Sequence, residues 1–454
     1  MPILKFIFVL SLLINYSSYG QKREGKPNFV VILTDDLTYR AIGYNNSNVK
    51  TPNINKLAGK GIIFDRAIAA TPICVASRAS LLTGLYPQTN GTVALNTNSF
   101  ISNVVEKQQY KTLAHYLAQD GYSTYFSGKS HLGNPKDYGF LFGEESTDFT
   151  DVAAFDHAAE FIKDSSFRKK PFLLWIASRQ PHVPLKPDQK WLNLYANSDF
   201  KMEANFREKP LRESFFNQGL PKENLYRDSD YTNNFKNLPA GPPRSPEIIQ
   251  EFTRAYYATI SHLDEQVGNL ITLLTQTGHL KNTVIIFLSD NGYFLGNHGL
   301  GNKITMHEES IRIPFFIYWD SIKNKGRHYE NVISSVDVFP TILDMAGIIA
   351  PKYIQGKSLK NILLSNPFRK LHDFVASECT GVGGGLSIGH RMVRTKDWKY
   401  ILSDENDEAL FSLQDDPYEL HSLIDEPKHN KILSELKQDL KNWQTMVGDN
   451  KLKK

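Results

Sequence analysis

Acidic side chains follow two apolar runs of the chain, at places where a buried strand would end. Asp35 and Asp36 come directly after the first run, and Asp290 and Asn291 follow a later one. Because the carboxyl ends of strands in a covered sheet share one edge, we expect these side chains to meet. Singly, Asp-Asp could cap a helix and Asp-Asn-Gly could form a turn. Together, their carboxylate and amide oxygens predict a site for a hard divalent cation, Ca²⁺ or Mg²⁺.

Basic and imidazole side chains also follow the apolar runs of the chain. Lys129 and His131 lie in G-K-S-H, His182 lies in P-H-V-P, and Lys303 ends H-G-L-G-N-K. A loop lysine is usually solvated and a loop histidine is usually structural, so each fragment alone is weak. We expect them at the same edge as the carboxylates, where cations around a divalent metal would bind a tetrahedral oxyanion ester.

One of the two cysteines lies in a segment with its own helix signals. In T-P-I-C-V-A-S-R-A-S-L-L-T-G, Gly84 predicts a helix end, which places Cys74 near the helix N-terminus and Arg78 on the same face. A helix N-terminus and a guanidinium favour either a thiolate or a docked anion. The structural alternatives are a disulfide with Cys379 and a buried free thiol.

Strand-like and helix-like segments alternate along most of the chain, which predicts an α/β fold with helices on both faces of a sheet. Buried strands, of the kind found in parallel sheets, are predicted at residues 28–33, 172–177, 284–288 and 314–318, and a short strand-like run covers 122–127. Helical spacing covers residues 112–119 and 248–277. The polar region 193–246 is interpreted as surface loops that shape a cleft.

The pattern changes from about residue 356. Short strands are predicted at residues 392–394, 398–402 and 409–413, followed by an amphipathic helix at 430–447. We therefore predict a main domain at 21–355 and a smaller C-terminal α+β subdomain at 356–454, made of an antiparallel sheet and a packing helix.

The first twenty residues resemble a signal peptide. Lys5 precedes a short apolar run, and residues 18–20 offer a cleavage point. The run is far shorter than the roughly 20 residues needed to span a bilayer, so we expect export without stable membrane insertion. The net charge of +4 in 454 residues gives no reason to expect nucleic acid as a partner.

Taken together, these motifs resemble the type I, formylglycine-dependent sulfatases of the alkaline phosphatase superfamily, almost from end to end. The matching segments are P-N-F-V-V-I-L-T-D-D, C-V-A-S-R-A-S-L-L-T-G, G-K-S-H, P-H-V-P, S-D-N-G, H-G-L-G-N-K with E-E-S-I-R-I-P, and the late L-F-S-L-Q-D-D-P-Y-E-L. The resemblance implies a large alkaline-phosphatase-like mixed sheet and sulfate-ester hydrolysis.

The resemblance also implies the chemistry of Cys74. A separate maturation enzyme would oxidise it to formylglycine, whose hydrate would attack sulfur while bound to Ca²⁺ (Mg²⁺ being the second choice). The implied metal ligands are Asp35, Asp36, Asp290, Asn291 and the modified Cys74. The family usually has proline two residues after the cysteine, whereas this chain has Ala76.

The remaining roles come from the same resemblance. Arg78 and His131 would orient the formylglycine, and Lys129, His182 and Lys303 would bind the sulfate oxygens. His182 would donate a proton to the leaving group. His131 would remove a proton from the second hydroxyl and expel sulfate, which completes a covalent route in two steps.

The segment H-G-L-G-N-K followed by E-E-S resembles that of family members that act on glycans, which favours a sulfated carbohydrate as the substrate. His298 would either contact the sugar or have a structural role. Hydrolysis of an N-sulfonated amino sugar, hydrolysis of a phosphate or phosphonate ester, and glycan binding without catalysis remain alternatives. The signal peptide fits a periplasmic, surface-associated or secreted protein, or a lysosomal one in a eukaryote.

Overall fold

The computed structural model describes residues 25–164, 166, 170–208, 245–380, 389–404 and 407–449. The predicted signal peptide at 1–20 lies outside the described residues. So does most of the predicted loop region 193–246, of which residues 193–208 and 245–246 are described.

A nine-stranded mixed sheet forms the body of the protein. The strand order is β4-β3-β5-β1-β6-β8-β2-β7, and β9 pairs with β2. The strands are β1 Asn28–Thr34, β2 Ile62–Ile68, β3 Ser123–Gly128, β4 Phe142–Glu145, β5 Phe172–Ala177, β6 Thr283–Ser289, β7 Arg312–Ile313, β8 Phe315–Tyr318 and β9 Arg327–Ser334. Five neighbouring strands, β4, β3, β5, β1 and β6, are parallel to one another. Their carboxyl ends therefore lie at one edge of the sheet, as predicted.

Helices cover both faces of this sheet, as predicted. The longer ones are Pro52–Ala58, Cys74–Thr83, Leu113–Gln119, Val152–Lys163, Pro246–Gln276 and Val338–Ala346. Alternate β1 side chains enter different cores: Val31 packs on the face that carries helices Cys74–Thr83 and Val338–Ala346. Val30 packs on the face that carries helix Pro246–Gln276. The continuous apolar run of β1 therefore follows from burial on both faces.

Five shorter helices complete the described α-helices of the main body: Pro87–Asn90, Thr97–Phe100, Gln189–Leu192, Glu308–Ile311 and Lys360–Leu364. A π-helix spans Ile101–Glu106, and short 3₁₀ segments occur at Pro135–Tyr138, Asn193–Tyr195, Leu280–Asn282 and Ser335–Asp337. Among the described residues, no helix is both long enough and apolar enough to cross a membrane.

The parallel orientation predicted for the run at 314–318 is wrong. Strand β8 pairs antiparallel with β6 on one side and with β2 on the other. A continuous apolar run reports burial on both faces, and an antiparallel strand inside a covered sheet meets the same condition. The sequence pattern therefore located the strand but not its direction.

A second, four-stranded antiparallel sheet lies in the C-terminal part, as predicted. Its strands are β10 Val375–Cys379, β11 His390–Arg394, β12 Trp398–Ser403 and β13 Glu408–Ser412, and helix Asn430–Val447 packs on it. Strand β10 was not predicted, because two of its five residues are polar. The boundary at 356 stays a prediction, although Leu359 and Leu363 pack in the core of the large sheet.

Buried charges join the small sheet to the main body. Lys399 of β12 lies 2.8 Å from Glu308 and 2.7 Å from Glu419, and it donates to the carbonyl oxygen of Met306 at 2.9 Å. Arg394 of β11 pairs with both carboxylate oxygens of Glu308. Since Glu308 closely follows Lys303 in the chain, these contacts fix the segment that carries a predicted site residue.

We predict that Lys399→Met lowers the free energy of unfolding by about 3 to 5 kcal/mol, because it leaves Glu308 and Glu419 buried with less compensation. Urea unfolding followed by tryptophan fluorescence measures the change. Lys396→Met is the control, because its ion pair with Glu330 is exposed and worth at most about 1 kcal/mol. Equal losses in both variants would contradict the structural role of the buried lysine.

Candidate active site

The ends of β1 and β6 bring the predicted carboxylates together. These strands run parallel with Thr34 opposite Ser289, so Asp35 and Asp290 leave the sheet side by side. The amide of Asp36 donates to Asp290 Oδ1 at 3.2 Å, and Asn291 Nδ2 donates to Asp36 Oδ1 at 2.7 Å. Asp36 has a φ of 65°, a left-handed conformation that aspartate adopts more readily than most residues.

The helix Cys74–Thr83 presents Cys74 as its first residue. Ile73 is extended and precedes it, while Gly84 ends the helix at a φ of 67° and donates to the Ser80 carbonyl. A side chain at Gly84 would also meet the Phe339 ring at 2.9 Å, so glycine is required there. Cys74 and Cys379 are both buried and are not joined by a disulfide, which excludes the disulfide alternative. Burial raises the pKa of the Cys74 thiol, against the effects of Lys303 and Lys129.

Arg78 connects three parts of the site from one turn further along this helix. Its Nε donates to Asp290 Oδ2 at 2.9 Å, and its Nη2 lies 3.2 Å from Asp35 Oδ2. Its Nη1 donates to the carbonyl oxygen of Lys129 at 2.5 Å. Burial alone would lower the pKa of Arg78, but the carboxylates of Asp290 and Asp35 raise it above its usual value.

The other predicted cations pair with the same carboxylates. Lys129 forms an ion pair with Asp35, and Lys303 forms one with Asp36. His182 Nε2 lies 3.7 Å from Asp36 Oδ2. The three carboxylates and the three permanent cations cancel in formal charge. A divalent cation at this edge would therefore leave the site positive, which suits an anionic substrate.

Two buried oxygen atoms of the site make no hydrogen bond with the described residues: Asp35 Oδ1 and Asn291 Oδ1. Ligand atoms of Asp35, Asp36 and His182 also lie within 4.8 Å of one another. Unsatisfied buried oxygens are costly, and a hard cation would satisfy them. The residues present therefore fit a divalent metal ion.

The pKa values of two carboxyl groups show the uneven charge around this edge. Burial alone would raise the pKa of Asp35, but Lys129, His182 and Arg78 hold it well below its usual value. Burial and the neighbouring Asp35 raise the pKa of Asp290 to about 6. An added positive charge near Asp290 would favour its ionised form.

His131 follows Lys129 by two residues and has a φ of 61°. Burial, together with the charges of Lys129 and Arg78, lowers its pKa to about 3. The imidazole is therefore neutral near pH 7. Its Nδ1 is buried and makes no hydrogen bond with the described residues, so this nitrogen is available to a ligand.

A cavity of about 530 Å³ opens over these groups. Five of the predicted site residues line it together with Asp36: Cys74, Lys129, His131, His182 and Lys303. The other predicted residues do not line the cavity but contact residues that do: Asp35 and Arg78 contact Lys129, and Asp290 and Asn291 contact Asp36. Arg179 and Glu145 also line the cavity, and the sequence analysis missed both. The position of Arg179, three residues before His182 in R-Q-P-H, was the signal that could have found it.

His298 does not line this cavity. Its ring stacks on that of His307 at a centroid distance of 4.1 Å, and its Nε2 lies 3.1 Å from Asn205 Nδ2. Its Nε2 is also 3.9 Å from Glu309 Oε2. The structure thus places His298 in a packed polar cluster, and its contact with a sugar stays a prediction.

The fold is that of the alkaline phosphatase superfamily. The family model described as Sulfatase matches residues 27–348, about seven tenths of the chain, and the chain belongs to this family. A second family model, described as N-sulphoglucosamine sulphohydrolase, C-terminal, matches residues 296–446. The protein is therefore a sulfuric ester hydrolase.

Relatives with assigned names cover nearly the whole chain. An N-acetylglucosamine-6-O-sulfatase of Bacteroides thetaiotaomicron is 28% identical over 95% of this chain and 88% of that protein. An arylsulfatase of Clostridium perfringens is 27% identical over 91% and 94%. A solved structure of a protein in complex with its substrate D-glucosamine-2-N,6-O-disulfate is 25% identical with a TM-score of 0.81, over 94% of this chain and 100% of that one.

Proposed function

We propose that the protein hydrolyses a sulfate ester on a sulfated carbohydrate. The observation that carries this proposal is the placement of Cys74, Lys129 and Lys303 on one cavity, above a buried edge of carboxylates. A tetrahedral sulfate needs a nucleophile on one side and cations around its oxygens, and the cavity offers both.

Cys74 would act after oxidation to formylglycine by a maturation enzyme. Its location at the start of helix Cys74–Thr83, in the segment C-V-A-S-R, supports this modification. The hydrated aldehyde would supply one hydroxyl to attack sulfur and a second to release the product.

Asp35, Asp36, Asp290 and Asn291, with the modified Cys74, would hold a Ca²⁺ ion. Oxygen donors and the two unsatisfied oxygen atoms support Ca²⁺, with Mg²⁺ as the second choice. When bound, the ion would supply the positive charge that lowers the pKa of the nucleophilic hydroxyl and offsets charge on the sulfate.

Side chains of the protein would bind the sulfate group, hold the site in place and donate the proton to the leaving group. Lys129 and Lys303 would bind sulfate oxygens from the cavity wall. Arg78 would hold the buried carboxylates and the Lys129 carbonyl in fixed relative positions.

His182 Nδ1 donates to the Val183 carbonyl, which fixes the ring, so Nε2 carries a proton only in the imidazolium form. Burial lowers the pKa of His182, whereas Asp35 and Asp36 favour the charged ring, which would donate its Nε2 proton to the leaving oxygen.

His131 would accept the proton of the second hydroxyl as the sulfate group leaves. Its low pKa keeps the ring neutral, and its unbonded Nδ1 supports a role in deprotonating the second hydroxyl. With Arg78, it would also orient the modified side chain.

A sugar is the substrate class that the cavity and the relatives support best. The volume of about 530 Å³ lies in the range of small-molecule sites, roughly 300 to 1,000 Å³. The relatives include the N-acetylglucosamine-6-O-sulfatase and an ulvan-active sulfatase of Formosa agariphila. The match to the C-terminal model of N-sulphoglucosamine sulphohydrolase supports a second candidate, cleavage of an N-sulfonated amino sugar.

The sequence supports export by the signal peptide to the periplasm, the cell surface or the medium. The maturation enzyme would then be a transient partner in addition to the sulfated glycan.

We predict that Ca²⁺ raises the thermal unfolding midpoint of protein first stripped with a chelator. A ligand at 100 times its dissociation constant adds about 2.7 kcal/mol of stability. Asn291→Ala removes one of the unsatisfied oxygen atoms and should weaken binding at least about 10-fold, because a bound carbonyl oxygen is lost. Asp320→Asn, an exposed carboxylate paired with Lys325, is the control. An equal response in all three proteins would contradict the assigned site.

We predict that mass spectrometry finds formylglycine at Cys74 in protein made in a host with the maturation enzyme. The peptide containing Cys74 should lose the mass difference between a thiol and an aldehyde, while the peptide containing Cys379 serves as the internal control and keeps its thiol. Only unmodified Cys74 in such a host would contradict the proposal.

We predict sulfate release from at least one member of a panel of defined sulfated oligosaccharides that includes N-sulfonated sugars. Cys74→Ala should lower kcat at least about 1,000-fold because the nucleophile is absent, whereas Cys379→Ala should retain activity. Ion chromatography separates sulfate from phosphate. Release of phosphate but not sulfate from matched esters would assign the protein to phosphate or phosphonate chemistry instead.

A further inference from the structure

We propose that Arg179 forms a subsite for a second anionic group of the substrate, either a carboxylate or another sulfate. This inference rests on the proposed function and names a narrower class of substrate: sugars that carry a negative charge in addition to the scissile sulfate.

The charge pairing around the cavity singles out Arg179. Lys129 and Lys303 line the cavity, but each is already paired with a carboxylate, and Arg78 is paired with two. Arg179 lines the same cavity, and within the described part of the chain no carboxylate lies at ion-pair distance from it. It is thus the cavity cation that still lacks an anionic partner.

Contacts on both the backbone and the side chain fix Arg179 in place. Its amide donates to Asp151 Oδ1 at 2.8 Å and Oδ2 at 3.1 Å, and Asp151 is almost completely buried. Its Nε donates to the Ser146 carbonyl at 3.0 Å, and its guanidinium carbon lies 5.1 Å from the centre of the Phe149 ring. The single Nε bond leaves the two terminal nitrogens to bind a ligand.

The chemistry of a fixed guanidinium sets the kind of ligand. Its planar donors match the paired oxygens of a carboxylate or a sulfate. Burial lowers the pKa of Arg179, so its charge is partly desolvated and gains from an anion. Glu145 lines the cavity as well and disfavours a further anion next to itself, which limits where the second charged group can bind.

Binding to the Cys74→Ala protein tests this subsite without turnover. The probes are N-acetylglucosamine-6-O-sulfate with one anion, D-glucosamine-2-N,6-O-disulfate with a second sulfate, and N-acetylglucosamine-6-O-sulfate linked to a uronic acid. Calorimetry should show at least about 10-fold tighter binding of one or both doubly charged probes, as expected for a charged hydrogen-bonded pair. Which probe is preferred separates a sulfate from a carboxylate.

Adding Arg179→Gln to this protein should reduce that preference below about 3-fold and leave the affinity for the singly charged probe within about 3-fold. Arg179→Lys should retain part of the preference, because it keeps the charge but loses the planar donors. Lys186→Gln is the control for loss of charge nearby, because Lys186 lies over the same Phe149 ring but does not line the cavity.

Two results would overturn the subsite: no preference for a doubly charged probe, or a preference that survives Arg179→Gln. Sulfate release by the wild-type protein reports separately on the proposed function. If no sulfate is released but the preference persists and depends on Arg179, the subsite stands and the proposed reaction is rejected. If sulfate is released but no such preference exists, the reaction stands and the subsite is rejected.

Discussion

The site depends on cations that neutralise the negative charge of three carboxylates buried at one edge of the large sheet. Asp35, Asp36 and Asp290 have almost no contact with solvent, and burial of an uncompensated charge costs several kcal/mol. Arg78 neutralises two strand ends at once because its guanidinium reaches Asp35 and Asp290 together. The two lysines complete the compensation, and the same cations then face the cavity where a substrate would bind.

The C-terminal sheet is part of this arrangement, although none of its residues lines the cavity among those described. Lys399 holds the Met306 carbonyl and the Glu308 carboxylate, and Arg394 holds the same carboxylate. These bonds fix the chain shortly after Lys303, which has to reach Asp36 from a long loop. The small sheet therefore stabilises the position of a cation whose own segment contains little regular structure.

Much of the fold could be predicted, because burial leaves a clear mark on sequence. Strand β5 and helix Asn430–Val447 have the predicted bounds, and β1 and β6 differ by one residue at each shifted end. The misses share a cause. The direction of β8 is set by the strands on either side of it, which its own apolar run does not specify. Strand β10, V-A-S-E-C, also depends on its neighbour, because its sequence has no apolar pattern that would reveal a strand.

The sequence by itself determined which groups could take part in chemistry, because residue type and place after a strand are local properties. It thereby identified the carboxylates, Cys74, Arg78 and the cations of the cavity wall. The tertiary structure decided how they pair, that no disulfide joins Cys74 to Cys379, that His298 packs against His307, and that Arg179 lines the cavity. These facts depend on distances between segments far apart in the chain, which residue spacing does not encode.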